Sequence, residues 1–215
     1  MATGEKREPC PASPPYDARV AKTRKGHRKP PPGARPRRPA EPPFAAASLI
    51  GLTGEELLDR LCVEHLSSAA SWKLWNEAAK DVRLLQRGLR HTEAKVRATC
   101  ARILDHFLDD AAIADLIECL DDPSPEVRAW ALHTLGCDRC KEGACRPGEA
   151  AFSPAAIRLA RDDPSANVRR VAIETLARSS ARRTEPVLAA IAQVKDADPN
   201  PRLRKFAARW FALCC

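Results

Sequence analysis

The chain has no apolar run approaching the roughly 20 residues that a membrane-crossing helix requires, and it contains no P-loop, no GxGxxG, no HExxH and no GxSxG nucleophile elbow. The first absence predicts a soluble chain. The others remove the familiar phosphate cradle, the dinucleotide fingerprint, the zinc-protease helix and the hydrolase serine. Acidic residues number 28, yet none falls in a pattern that sets up a general acid beside a general base. Basic excess is also missing from most of the chain. The net charge of +8 resides in residues 1–48, with 11 Lys and Arg against 4 Asp and Glu, and the rest carries 25 against 24. A near-neutral body is unlike a surface built to track phosphates.

Those first 48 residues also hold 11 of the 19 prolines and almost no aliphatic periodicity, so the sequence predicts a disordered Pro/Arg-rich basic tail. Arg37-Arg38 before Phe44 to Leu52 only loosely matches an export signal, because the apolar stretch is short and interrupted by Ser48 and Gly51. Cytoplasmic residence is expected. Nine cysteines, an odd number with several at helix-core positions, suit a reducing compartment better than a disulfide framework.

What is present is a repeat. The pattern DPxxxVRxxAxxxL, or a close relative, occurs four times between His91 and Cys215, anchored at Val96-Arg97, Val127-Arg128, Val168-Arg169 and Leu203-Arg204. The anchors are 31, 41 and 35 residues apart, in the range of helical repeats. The reading is all-α: a solenoid of about four helix pairs at residues 80–215, preceded by capping helices at 49–79. A capping box, Thr53-Gly54-Glu55-Glu56, starts a helix expected to reach about Leu66, and a second helix carrying Trp72 and Trp75 follows from Ser68. The pairs are Lys80 to Leu89 with Ala94 to Phe107, Ala111 to Leu120 with Pro125 to Leu135, then Pro154 to Ser180 and Glu185 to Leu213. Asp122-Pro123-Ser124 and Asp163-Pro164-Ser165 make the tight turns.

Aligned on their Arg, the second helices place Val or Leu one before, a small residue three after, and Leu or Phe seven after the anchor. Val96, Cys100 and Leu104 begin this buried stripe, and Leu203, Ala207 and Phe211 end it. These four units resemble HEAT repeats, particularly the short bacterial type also found in phycobilin lyase proteins, over about residues 80–213. The resemblance implies a right-handed α-solenoid in which turn Asp and following Arg form a ladder, so that Arg97, Arg128, Arg169, Arg204, Asp122 and Asp163 are structural. It also places the exposed face of the second helices on the concave side.

Positions one, five and nine after the anchor point away from the core, and His106 and His133 are among them. Arg102, Trp130, Arg170, Glu174, Arg178, Lys205 and Arg209 are the candidate partner-binding residues of that face, which suits a protein with acidic groups. A merely solvated helix face would read the same way. The insertion at 137–148 carries the sharpest local signal, His133-x3-Cys137-x2-Cys140-x4-Cys145. His133 and Cys137 are four apart and share a helix face, and thiolates with an imidazole suit one structural zinc ion. Asp138 or Glu142 are alternatives for the fourth ligand, and inert or redox thiols are alternatives to a metal. Cys100 and Cys119 read as core, and Cys214-Cys215 as a frayed end.

The functional reading is a non-catalytic, protein-binding scaffold. One alternative is a nucleic-acid-binding protein of the architecture seen in HEAT-like alkylpurine DNA glycosylases, with the basic tail adding nonspecific affinity. Another is a phycobilin lyase-like enzyme, which the repeat resemblance alone implies.

Overall fold

The structure, a computed structural model, describes residues 49–64, 67–78, 82–137 and 147–215. The basic tail and most of the Cys-rich insertion, including Asp138, Cys140, Glu142 and Cys145, lie outside the described residues. Among the described residues there are ten α-helices and no strand, arranged as an all-α solenoid. No described helix is long and apolar enough to cross a membrane.

Helix α1, Gly54–Arg60, opens on a complete capping box: the Thr53 hydroxyl accepts from the Glu56 amide at 3.3 Å, and the Glu56 carboxylate accepts from the Thr53 amide at 2.7 Å. It stops earlier than the sequence predicts. The amides of Leu61, Cys62 and Val63 each bond three residues back, so the chain tightens into turns that keep Leu57, Leu58 and Leu61 buried. Helix α2, Ser67–Ala78, buries Ala69, Ala70 and Leu74, and packs with α1 on the first repeat.

Four helix pairs follow: α3 (Arg83–Leu89) with α4 (Ala94–Phe107), α5 (Asp110–Glu118) with α6 (Pro125–Gly136), α7 (Glu149–Asp162) with α8 (Ala166–Arg178), and α9 (Glu185–Ala197) with α10 (Pro201–Cys214). The second helices form a continuous row, α4 on α6 on α8 on α10. Small residues at the middle of each buried stripe make this approach possible: Cys100, Ala131, Ala172 and Ala207 are fully covered. Phe211 departs from the stripe expected of it. It is only partly covered and lies beneath the Lys195 ammonium, 5.5 Å from its ring centroid.

Three other boundaries differ from the sequence reading. Helix α5 tightens into a 3₁₀ turn, Cys119–Asp121, before the loop. Helix α7 begins five residues before Pro154, because burial of Phe152 and the grip of the Glu149 carboxylate on the amides of Ser180 and Ala181 secure an extra turn. The proline falls inside the helix, where it removes one backbone donor. Finally, Cys214 is not frayed: it is 1% exposed, and α10 is helical up to it.

The turns are joined by side chains. Arg97 donates to both carboxylate oxygens of Asp122 at 2.6 and 2.9 Å, Arg128 to those of Asp163 at 2.7 and 2.9 Å, and Arg169 to those of Asp198 at 2.7 and 3.1 Å. Each Arg also donates to carbonyls of its own turn, as Arg128 does to Asp122 at 2.7 Å. Arg204 makes that last bond, to the Asp198 carbonyl at 2.7 Å. Each Asp accepts in addition from the amide two residues on, so one carboxylate serves its own turn and the preceding repeat. Asp198 belongs to this series and was missed in the sequence; it lies six residues before Arg204, as Asp122 and Asp163 lie before Arg128 and Arg169. In the first repeat that place is taken by His91, whose Nδ1 accepts from the Glu93 amide at 3.0 Å while Nε2 faces Asp59 of α1 at 3.2 Å.

Candidate functional site

Two features of the second-helix row can do more than support the stack. One is a cluster where the last turns of α4 and α6 meet. His133 lies in the last turn of α6 and Cys137 immediately follows that helix, so their four-residue spacing puts both on one side. Asp105, in the last turn of α4, completes the group: ligand atoms of Asp105, His133 and Cys137 all lie within 4.8 Å of one another, a possible metal-binding triad. Of the ligands expected from the sequence, the structure brings together His133 and Cys137. Asp105 was not among them. The repeat register carries its signal, since eight residues after the anchor the other units have Gly136, Ala177 and Ala212, and only here is there a carboxylate.

Asp105 is 3% exposed, and its Oδ1 finds no hydrogen-bond partner. Its Oδ2 lies 3.6 Å from His133 Nε2 and 4.0 Å from His106 Nε2. Asp105 and then Cys137 push the His133 imidazole up to about 9, against the opposing effect of burial. His106 moves the other way: its burial, beside Trp75 at 4.4 Å between ring centroids, lowers it below the ordinary imidazole value. Beneath the cluster, the buried Thr134 hydroxyl donates to the Ala101 carbonyl at 2.7 Å, fixing α6 against α4 one turn from Asp105.

The second feature is the outward face of the row. Arg102, Arg170, Lys205 and Arg209 are exposed, whereas Trp130, Glu174 and Arg178 are half-buried. The first outward position is covered in two units, because Ala98 and Ala129 are 3% and 7% exposed and lie under neighbouring helices. Arg102 is drawn back to α2, where it donates to the Ser71 hydroxyl at 3.0 Å. Between α8 and α10 the face is an alternation of cations and rings. Arg170 lies 6.0 Å from the Phe206 ring centroid and Arg178 5.4 Å from that of Trp210, with Glu174 pairing both guanidinium groups at 3.4 and 3.1 Å. Trp130 meets His133 edge-on at 5.6 Å.

Two further buried thiols are inert by environment. Burial raises Cys100 far above the usual thiol range and Cys119 to about 12, which keeps both protonated.

Residues 82–146, spanning the first two helix pairs, match the family of HEAT repeats. Over that span the chain is similar to HEAT repeats. No curated protein matches it. Among solved structures, it is similar to a chain in the complex of CpcE and CpcF of phycocyanin lyase from Nostoc sp. PCC7120. The match has 22% sequence identity and a TM-score of 0.53, and covers 82% of this chain and 70% of that one. The likeness is one of fold alone. The match to HEAT repeats takes in α3 to α6, and the same Arg–Asp geometry continues into α7 to α10.

Proposed function

We propose that the chain is a non-catalytic scaffold that binds a protein partner with an acidic contact surface along the outward face of its second helices. The observation that supports this reading most directly is the cation and ring strip of α8 and α10, where Arg170 lies over Phe206 and Arg178 over Trp210, with Lys205 and Arg209 exposed on the same helix as the rings. Rings held under guanidinium groups offer apolar area with little side-chain entropy left to lose, and the cations above them favour carboxylates. The resemblance to HEAT repeats supports a concave position for this strip. Arg102 and Trp130 extend it toward the first repeats. The near balance of charge in residues 49–215 favours a protein over nucleic acid as the partner of the stack, and leaves nonspecific nucleic-acid affinity to the basic tail. Protonated, buried thiols at Cys100 and Cys119 agree with a cytoplasmic setting.

The test is capture from a nuclease-treated lysate of the source organism. A partner retained by the full chain, and by a chain lacking residues 1–48, should be lost when Arg170, Lys205 and Arg209 are all changed to Glu. Retention by the charge-reversed chain would remove this reading, and loss with the tail alone would transfer the interaction to residues 1–48.

A second reading, a lyase acting on a tetrapyrrole, is supported by the fold shared with the phycocyanin lyase complex. Incubation of the purified chain with a free bilin should leave the pigment's absorbance unchanged if the scaffold reading holds. A saturable spectral shift would favour the lyase.

A further inference from the structure

The α4–α6 cluster is independent of that strip and makes a separate demand. A carboxylate that is 3% exposed carries a charge that needs compensation, and both of its oxygens need partners. At Asp105 only Oδ2 faces cation-forming groups, His133 at 3.6 Å and His106 at 4.0 Å, separations too long for a hydrogen bond; Oδ1 is buried with no partner. An imidazolium at His133 therefore answers half of the problem. A dication held among Asp105, His133 and Cys137 meets the charge in full, since a carboxylate and a thiolate together cancel two positive charges and the neutral imidazole supplies the third donor, and it can take the unpartnered oxygen as its ligand.

We infer that Asp105, His133 Nε2 and Cys137 Sγ are ligands of one divalent transition-metal ion of the zinc class, clamped between the first and second repeats. The mixed oxygen, nitrogen and sulfur donor set excludes magnesium and calcium, which take oxygen ligands, and fits zinc or cobalt. Ligand atoms in a tetrahedral zinc site lie about 3.3 to 3.7 Å apart, from metal–ligand bonds of about 2.0 to 2.3 Å. The three atoms here are already within 4.8 Å of one another, at most little more than about 1 Å beyond that spacing. Those helices are well placed to hold it: the Thr134–Ala101 bond anchors the base, and Cys137 caps the end of α6. The site ties the end of the second repeat back onto the first. Asp105 is what separates this from a site confined to the insertion's own cysteines.

Cobalt(II) is the probe, added to the full chain after chelator treatment under reducing conditions. Thiolate-to-cobalt charge-transfer absorption in the near ultraviolet should appear with one equivalent, and zinc should displace it. Cys137→Ser should abolish the band. Asp105→Asn, checked by circular dichroism for retained helicity, should weaken cobalt affinity by roughly tenfold or more, since even groups that only orient metal ligands contribute that much. Wild-type affinity in Asp105→Asn, or failure of the intact chain to take up cobalt, would overturn the inference. If Asp105→Asn does not fold, the zinc K-edge X-ray absorption spectrum of the unaltered chain decides: a shell with oxygen, imidazole nitrogen and sulfur supports the site, and a shell of sulfur and nitrogen alone overturns it.

Discussion

Arg128 holds the carboxylate of Asp163, 35 positions further along the chain, through two parallel hydrogen bonds of 2.7 and 2.9 Å. Both side chains are nearly closed to solvent, at 10% and 2% exposure. With them covered, each partner depends on the other: Asp163 also caps the Ser165 amide, and Arg128 also satisfies the carbonyls of Asp122 and Pro123. Removing one member leaves a buried charge uncompensated. Arg128→Ala should therefore cost about 3 to 5 kcal/mol in urea unfolding. Asp163→Ala should cost a comparable amount, and the double variant less than the sum of the two. Strict additivity would show that the pair does not couple the repeats.

The face assignment has its own test. Leu135 is 2% exposed in the buried stripe of α6, whereas Arg102 is an exposed residue of α4 that donates to Ser71. Leu135→Ala should cost about 2 to 5 kcal/mol, as core leucine truncations do. Arg102→Ala should cost at most about 1 kcal/mol. Equal losses, measured by chemical denaturation, would mean that the second helices are rotated from the arrangement described.

Most of the stack was legible in the sequence because one physical constraint recurs four times. A helix that must bury Val, a small residue and Leu on one stripe, after a turn that must satisfy its own amides, writes the same pattern at every repeat. Where the pattern was read literally it missed its variants. His91 does the work of a turn Asp, accepting from the amide two residues on, and no search for Asp-Pro finds it. Asp198 stood in the pattern itself, followed by Pro199 and six residues before Arg204, and was left out of the ladder because its turn reads Asp-Pro-Asn where the other two read Asp-Pro-Ser. Boundaries at α1 and α7 were set by local bonding and by burial of Phe152, which periodicity does not record. At the cluster, spacing along one helix brought His133 to Cys137, but Asp105 comes from a neighbouring helix, and contacts between repeats leave a trace only in the aligned register.

Gly88 illustrates a contact between helices that periodicity does not record. A Cβ built on it would lie 2.3 Å from the Sγ of Cys100 and 3.0 Å from a methyl carbon of Leu58, both fully covered side chains with nowhere to retreat. Alanine at this position gains roughly 1 kcal/mol of helix propensity within α3, yet must part α3 from α4. Overpacking costs of about 1 to 3 kcal/mol should outweigh the gain. Gly88→Ala should lower the melting temperature, and the double variant Gly88→Ala, Cys100→Ala should recover part of the loss by removing the sulfur. A single variant as stable as the parent would mean that the two helices yield more easily than their packing indicates.

The ladder should also set the response to acid. Burial of Asp198 alone would raise its carboxyl, but the Arg169 hydrogen bonds, the Asn200 amide and the charges of Arg169 and Arg204 together outweigh it and hold the group below its ordinary value of 3.8. A carboxyl whose folded value is depressed contributes stability that is fully present above its unfolded value and is lost as pH falls through the folded one. Asp198→Asn, which keeps the shape and can still accept from the Asn200 amide but carries no charge, should be less stable than the parent at pH 6 to 7. The gap between the two should then narrow as pH drops below about 4, because the parent protonates Asp198 and comes to resemble the variant. Denaturation midpoints measured between pH 7 and pH 2.5 give the two curves. Parallel curves across that range would show that Asp198 titrates no differently in the fold than out of it, and that the Arg169 pair acts through shape rather than through charge.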